Sequence, residues 1–278
     1  MGLRINTNVQ SISAQRNLMK TKTNLNNNLR KLSSGERITR AADDAAGLAI
    51  SENLKAQIRS IRQAKRNADD GISLIQTAEG GLSEVSNIII RLRELAVQAA
   101  SDTVGDVERG FSDIEFQQLK DEIQRIALSS EFNGRKLLNG TSGIVEIQVG
   151  AANDPFNDRI RYDGSQVSAT LDFLGLTNES VSTKQGAQIA LATLDDSLVQ
   201  VNGVRAQLGA LQNRLTSVIQ NLGITEENFS EANSRIRDVD VAAETADLAK
   251  NNILNQAGVS VLSQANQAPN FALKLING

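Results

Sequence analysis

Apolar residues recur at alternating spacings of three and four through the first half of the chain. The series consists of Leu54, Ile58, Ile61, Ala68, Ile72, Ile75, Leu82, Ile89 and Ala96. Polar residues interrupt the series at Lys65, Glu79, Ser86 and Arg93. Such spacing is typical of a helix that packs along a coiled-coil seam. It predicts one helix from about Asp44 to Ala100, which at about 1.5 Å per residue would be roughly 80 Å long and would need long partners.

A second series with the same spacing lies in residues 188–222. Its apolar members are Leu191, Leu194, Leu198, Val201, Leu208, Leu215, Ile219 and Leu222, with Arg205 and Gln212 as polar exceptions. The pattern resumes through residues 229–253, so we expect the helical structure to continue there. A shorter amphipathic helix is predicted in residues 108–129. These helices predict a mainly α fold, an elongated antiparallel helical bundle or coiled coil.

The middle of the chain has the two-residue period of β-strands. Val145, Ile147 and Val149 alternate with other residues, and Tyr162 ends a second alternating segment. A turn-favouring Asn-Asp-Pro sequence separates the two segments. The pattern predicts a small β-hairpin at about 143–163, and it is the only β structure that the sequence predicts.

Both ends of the chain carry sparse apolar stripes among many Asn, Gln, Ser and Thr residues. The stripe residues are Leu3, Ile5, Val9, Ile12, Leu29 and Leu32 near the start, and Val261, Leu262, Leu273 and Ile276 near the end. An isolated helix of this kind is only marginally stable, because helical stability comes mainly from a packed apolar face. We therefore predict that these residues form a self-assembly stripe, whose partners come from other copies of the chain.

The composition counts against catalysis. The chain has no Cys, no His, no Trp and a single Tyr. Thiolate and imidazole are the usual nucleophiles and zinc or copper ligands, so we predict no enzyme activity, no metal site and no cofactor. Asp43 and Asp44 could in principle act as paired carboxylates, but a helix-capping role is favoured because they precede a predicted helix.

Charge is unevenly distributed although the net charge is only −3. Basic residues are in excess in residues 1–66, and acidic residues are abundant in residues 226–250. A basic segment can bind nucleic acid, but no aromatic residue precedes Phe111 to stack on bases. We favour the alternative that the basic and acidic segments lie side by side, and we expect no nucleic-acid partner.

The sequence also lacks the usual membrane signals. No segment approaches the roughly 20 apolar residues of a membrane span, and the first residues contain no apolar run of the roughly 7–15 residues that a secretory signal needs. We therefore expect no membrane partner. Location stays open on these grounds, since some export machines read uncleaved termini.

Blocks of sequence at both ends resemble the flagellin family. Near the start these are LRINTNVQSISAQRNL, LSSGERITRAADDAAGLAIS (Leu32–Ser51) and RQAKRNADDGISLIQTAEG (Arg62–Gly80). Near the end they are ENFSEANSRIRDVDVAAE (Glu227–Glu244) and QANQAPNFALKLI (Gln264–Ile276). Matches at both ends, in the family's order, are more specific than any single motif.

The resemblance implies a subunit that self-assembles into the bacterial flagellar filament for swimming motility. It implies a terminal coiled-coil domain, residues 1–43 with 236–278, and an outer helical domain, residues 44–235. It also implies an extracellular filament exported without a cleavable signal, with an export chaperone and the hook-associated and cap proteins as partners. Some family members carry an inserted metallopeptidase, whose HExxH helix a chain without His cannot form. The alternatives are a hook-filament junction protein of the same superfamily and an unrelated coiled-coil scaffold or nucleic-acid binder.

A further partner implied by the resemblance is the flagellin-sensing Toll-like receptor of a host. The segments RLRELAVQ (Arg91–Gln98) and LKDEIQR (Leu119–Arg125) resemble those that this receptor grips. Carried over position by position, the contacts would be Arg91, Leu95 and Glu122. The competing interpretation is ordinary helix surface, with Leu95 helping to pack the bundle.

Overall fold

A computed structural model describes residues 7–277, with side chains described for residues 7–267. The helices are α1 (Val9–Ser34), α2 (Ala45–Ala99), α3 (Asp106–Ser129), α4 (Leu171–Leu174), α5 (Lys184–Arg237) and α6 (Val241–Asn277). The predicted class, mainly α with short antiparallel strands, is confirmed. The bounds of α2 and α3 agree with the predicted helices to within about two residues.

The chain divides into two compact units. A terminal unit contains the two chain ends, up to Ala56 and from Asn228 onward, and a central unit spans Gln57–Glu227. Both boundaries fall inside helices, within α2 and α5. The predicted division at residues 43 and 236 concerns which part of the chain folds alone, and it stays a prediction.

Capping side chains define the helix ends of the terminal unit. Gly35, in the left-handed conformation at φ 72°, ends α1. The Asp44 carboxylate accepts a hydrogen bond from Gly47 N at 2.9 Å and caps the start of α2, which confirms its predicted capping role.

The neighbouring Asp43 does not cap this helix, and its carboxylate accepts hydrogen bonds from the backbone N–H groups of Thr39 and Arg40. The Thr39 hydroxyl donates to the same carboxylate and lowers the pKa of Asp43.

The pattern that was expected to continue past residue 229 is broken at one point. Helix α5 ends at Arg237, and α6 begins only at Val241. The Asp240 carboxylate accepts from Ala242 N at 2.9 Å and from Ala243 N at 3.1 Å, so it starts a new helix. Apolar spacing alone did not reveal this break.

The core of the central unit lies along α2, α3 and α5. Its fully buried apolar residues include Ile75, Leu82, Ile89 and Ala96 from α2, Phe116 and Ile123 from α3, and Leu194, Val201, Leu208 and Leu215 from α5. The two predicted series therefore face the same core. Three of their polar interruptions form ion pairs: Arg205 Nη2 lies 3.3 Å from a Glu79 carboxylate oxygen, and Arg93 Nε lies 2.6 Å from an Asp195 carboxylate oxygen.

Ion pairs agree with the interpretation that basic and acidic segments lie side by side. In the terminal unit, Lys31 Nζ lies 3.7 Å from a Glu244 carboxylate oxygen. In the central unit, Arg62 Nε lies 2.6 Å from a Glu226 carboxylate oxygen. Each pair joins an early basic residue to a late acidic one.

The predicted β-hairpin is confirmed. Strands β3 (Ile144–Gln148) and β4 (Arg159–Asp163) are antiparallel, with Ile147 opposite Ile160 and Val145 opposite Tyr162. Burial raises the pKa of Tyr162 to about 12. The inward face of the hairpin lies against α2, where a Cβ added at Gly71 would lie 2.6 Å from Ile147 Cδ1.

A second, shorter hairpin was not predicted. Strands β1 (Glu131–Phe132) and β2 (Arg135–Lys136) are joined by Asn133 and Gly134, both with positive φ. The Asn-Gly turn is a strong hairpin signal, but the strands are too short for an alternating pattern to appear. The prediction that residues 143–163 hold the only β structure is therefore wrong.

Two adjacent glycines of α2 provide a test of packing in the central unit. A Cβ at Gly81 would lie 2.6 Å from Leu138 Cδ1 and 3.0 Å from Ser130 Oγ, whereas a Cβ at Gly80 would meet nothing within 4 Å. We expect Gly81→Ala to lower the free energy of unfolding by about 1–3 kcal/mol through overpacking. Gly80→Ala should raise it by roughly 0.5–1 kcal/mol, because alanine favours the helix. Urea unfolding followed by circular dichroism measures both, and equal effects would contradict the close packing at Gly81.

Candidate assembly surfaces

Helices α1 and α6 pair along a regular antiparallel seam. The least exposed positions of α6 among its described side chains are Glu244, Leu248, Asn251, Asn255, Gly258, Leu262 and Ala265. Matching positions on α1 are Ser11, Ala14, Leu18, Thr21, Leu25, Asn28 and Leu32. Both sets follow spacings of three and four, as in a coiled coil. The expected pairing of the two ends is therefore present within the described residues.

The seam is unusually polar. The two buried residues of α1 are Ser11 and Asn28, each 7 % exposed. Ser11 Oγ donates to Asn266 Oδ1 at 2.7 Å, and Asn251 Nδ2 donates to Asn28 Oδ1 at 3.3 Å. Hydrogen bonds exchanged for bonds to water contribute little net stability, so this pairing is held more weakly than an apolar seam would be.

Large apolar side chains of both helices point away from the seam. On α1 these are Val9, Ile12, Met19 and Leu29, which are 62 %, 58 %, 72 % and 50 % exposed. On α6 they are Val241, Ile253, Leu254, Val259 and Val261. The seam thus mixes leucines such as Leu18 and Leu25 with polar residues, while large apolar side chains on the outer faces of both helices stay uncovered.

The predicted self-assembly stripe is not one continuous face. Val9, Ile12, Leu29 and Val261 belong to the exposed set, whereas Leu32 and Leu262 are half-buried in the seam. Leu3 and Ile5 lie outside the described residues, as do the side chains of Leu273 and Ile276. Met19, which lies one heptad after Ile12 on the same apolar spacing, and Ile253 are exposed as well.

The links that follow α1 and α5 cross and pair with each other in the terminal unit. Arg37 N donates to Arg237 O at 2.6 Å, and Val239 N donates to Gly35 O at 3.0 Å. The Arg37 guanidinium also donates to the carbonyl of Ile236, near the end of α5. Two segments far apart in sequence are thus joined through their backbones at the end of the α1–α6 seam.

Side chains reinforce this crossing. Arg237, whose side chain is 15 % exposed, donates through Nη2 to Glu36 Oε2 at 3.1 Å and through Nη1 to the Glu52 carboxylate. Those two carboxylates raise the pKa of Arg237. Ser51 is fully buried and donates to Asn233 Oδ1 at 2.7 Å. We call these five residues, with the two backbone hydrogen bonds, the crossing clamp.

The residues predicted to contact a host receptor lie in the central unit. Arg91 is half exposed and pairs with Glu94 and Glu115 at 2.8 and 2.9 Å. The Arg125 side chain pairs with Glu122 and lowers the pKa of Glu122. Leu95 is only 3 % exposed and belongs to the core, so its side chain packs the bundle instead of offering a contact.

Sequence analysis missed several exposed apolar residues on α2 and α3. They are Ile90, Val97, Val107, Phe111 and Ile114. Each lies off the core-facing spacing of its helix, and that displacement was the available signal. The central unit therefore carries exposed apolar residues of its own.

The buried Arg109 and Lys120 side chains of the central unit donate hydrogen bonds to backbone carbonyl oxygens. Arg109 donates to Ala99 O at 2.8 Å and to Ser101 O at 2.9 Å, where α2 ends. Lys120 donates to Glu179 O at 2.8 Å, and its burial lowers its pKa. Both charges are therefore explained by packing and hydrogen bonding of connecting segments.

The described residues form neither a metal-binding group nor a membrane-spanning helix. Among them, no group of three or more acidic residues is placed to hold a metal ion. None of the helices, as far as they are described, is long and apolar enough to cross a membrane. The described surface does carry helix faces with uncovered apolar side chains, which are typical of a protein that acts by association with other chains.

Comparison with known families identifies which structural protein this is. The bacterial flagellin N-terminal helical region matches residues 5–143, and the bacterial flagellin C-terminal helical region matches residues 191–276. A flagellin of Halalkalibacterium halodurans is 46 % identical over 275 residues, which cover 98 % of this chain and 99 % of the relative. The chain therefore belongs to the bacterial flagellin family and is a structural subunit of the flagellar filament.

Solved structures agree at the level of the fold. The crystal structure of Bacillus cereus flagellin is 32 % identical, with a TM-score of 0.51, over 56 % of this chain and 88 % of that one. A putative flagellar hook-associated protein from Vibrio parahaemolyticus is 15 % identical, with a TM-score of 0.58, over 70 % of this chain and all of that one. At 15 % identity this second likeness shows a shared fold and does not favour the junction-protein alternative.

Proposed function

We propose that this chain polymerises by covering the outward apolar residues of α1 and α6 with the same helices of neighbouring copies, without turnover of any substrate. The observation that supports this is the exposure of large apolar side chains such as Ile12 in the terminal unit, while the two buried residues of α1, Ser11 and Asn28, are polar. Fully burying a Val, Leu or Ile side chain contributes about 1.5–3 kcal/mol. Assembly would supply the burial that the single chain lacks.

Seeded polymerisation tests this proposal. Purified monomer is mixed with short filament fragments and followed by light scattering and negative-stain electron microscopy. We expect filaments to extend above a critical concentration. A monomer that stays soluble with competent seeds, at any concentration, would contradict the proposal.

Imaging a knockout strain adds a cellular test. Loss of this subunit should leave hooks without filaments, whereas loss of a junction protein would release filament subunits to the medium.

The same proposal extends to export. The subunit reaches the extracellular filament without cleavage of a signal, and an export chaperone covers the apolar residues of α6 before the cap and hook-associated proteins guide assembly. Exposed apolar residues of α6, such as Ile253 and Val259, support this proposal. Uncovered apolar residues favour aggregation before export, so a chaperone would have to shield them in the cell. Intact mass spectrometry of filament subunits should give the mass of the encoded chain, and a shorter amino terminus would contradict uncleaved export.

A host receptor is a further proposed partner. Arg91 and Glu122 are accessible, and Leu95 would support this surface from within the core. We expect Arg91→Ala or Glu122→Ala to reduce signalling by the flagellin-sensing Toll-like receptor by about tenfold in a cell reporter assay. Each variant would lose a charge-assisted hydrogen bond to the receptor, and a loss of about 1.4 kcal/mol lowers binding tenfold. Arg235→Ala, at an exposed ion pair in the terminal unit, is the control. Parental signalling from both variants would rule out these contacts.

A further inference from the structure

Repeated residue types leave the register of the α1–α6 seam to a few polar side-chain contacts. Small and polar residues recur along both helices, and Leu18 faces Gly258, where an added Cβ would lie 3.1 Å from Leu18 Cδ1. A shift by one heptad would bring Leu25, an identical side chain, to the same glycine. Such a shift would break three side-chain hydrogen bonds, from Asn8 to Ala265 O, from Ser11 to Asn266 and from Asn251 to Asn28, and the 3.7 Å Lys31–Glu244 ion pair. The hydrogen bonds are neutral, and neutral bonds and partly exposed ion pairs each contribute only about 1 kcal/mol or less.

The crossing clamp has the opposite character. Its backbone hydrogen bonds join particular residues of two links, and Arg237 binds the Glu36 and Glu52 carboxylates with different nitrogens of one planar group. Glu36 follows α1 and Glu52 lies in α2, while Arg237 is the last residue of α5. A guanidinium in such a fork holds both partners in one geometry, which a flexible point charge cannot do.

We propose that Arg237 is a positioning residue for assembly: it fixes the register in which α1 and α6 pair, and thereby which apolar residues become neighbours on the outer surface. The links between Ser34 and Ala45 and between Arg237 and Val241 are the points from which the two helices depart. Holding those links together sets the starting point of the seam. This inference rests on the proposed assembly function, because the register matters only if the outer face must match other copies.

Disulfide trapping can read the register, because the chain has no native cysteine. A Cβ at position 258 lies 3.9 Å from Leu18 Cβ, within the range of about 3.5–4.5 Å for a disulfide. The pair Leu18→Cys with Gly258→Cys therefore reports the native register. The pair Leu25→Cys with Gly258→Cys reports a shift by one heptad, since position 25 is about 10 Å farther along the helix.

Each pair is oxidised in the soluble full-length chain in a glutathione buffer, with an osmolyte that favours folded helices and with helicity checked by circular dichroism. In the parent sequence we expect the equilibrium constant for forming the native disulfide to be at least about tenfold larger than that for the shifted disulfide. A tenfold ratio corresponds to a free-energy difference of about 1.4 kcal/mol. With Arg237→Gln the ratio should fall to within about threefold of unity, and with Arg237→Lys it should take an intermediate value.

The matched control is Arg235→Gln on the same helix, where Arg235 pairs with Glu231 at an exposed site. We expect it to keep the parental ratio. A general weakening of the helices would reduce both disulfides together, so the ratio separates register from stability. An unchanged ratio in Arg237→Gln, or no preference in the parent, would overturn the proposal.

The polymerisation assay is run separately, so the two ideas can fail separately. If the parent does not extend seeds, the assembly function is wrong, whatever the disulfide ratio. If the parent polymerises and Arg237→Gln keeps the parental ratio, the assembly function stands and the role of Arg237 is wrong.

Discussion

Replacing Val9 and Ile12 together with asparagine should raise the critical concentration for polymerisation by at least about 100-fold. Both side chains are more than half exposed in the single chain and point away from the α1–α6 seam. Burying each against neighbouring copies would contribute about 1.5–3 kcal/mol, and about 1.4 kcal/mol corresponds to a tenfold change in an equilibrium constant. Seeded light scattering over a range of monomer concentrations measures the shift.

The control for this variant changes polar exposed residues of the same helix. Gln15→Asn with Lys20→Asn has the same number of substitutions to asparagine at exposed positions. We expect its critical concentration to stay within about threefold of the parent, because surface substitutions typically change free energies by no more than about 0.5 kcal/mol. If the Val9 and Ile12 variant also polymerises like the parent, the assignment of this face to assembly is wrong.

Limited proteolysis should cut the terminal arms, residues 1–43 and 236–278, at least about 100-fold faster in monomer than in filament. Proteases cleave segments that open locally, and we expect the arms to open in the monomer. Ordering backbone costs about 1–2 kcal/mol per residue, and the two buried residues of α1, Ser11 and Asn28, are polar. The pairing of two such helices cannot offset that cost without neighbours. Polymerisation would then couple folding of the arms to assembly.

Mass spectrometry of the digest gives the products. We expect monomer to yield a helical fragment within residues 44–235, whose core along α2, α3 and α5 stays intact. Sites inside that fragment provide the control, since their cleavage should change little on assembly. Equal protection of the arms in monomer and filament would show that the seam is sufficient alone, and would remove the proposed coupling.

Local patterns in the sequence determined the helical class, the extents of α2 and α3, and the main hairpin. Periodicity is a property of the chain itself, so the series ending in Ala96 and the one containing Val201 could be assigned before any contact was known. Capping by Asp44 was also readable, because a cap acts on its own helix. The sequence blocks at the two ends were enough to indicate the family.

Only the tertiary structure decided which face of each terminal helix meets the other. The sequence places apolar residues such as Ile12 and polar ones such as Asn28 on different faces, and a core would ordinarily form from the apolar ones. Here the crossing clamp joins the end of α1 to the segment before α6, and the faces that meet mix leucines with polar residues such as Asn28. The role of Arg237 depends in the same way on Glu36, 201 residues away in the sequence, which no local pattern specifies.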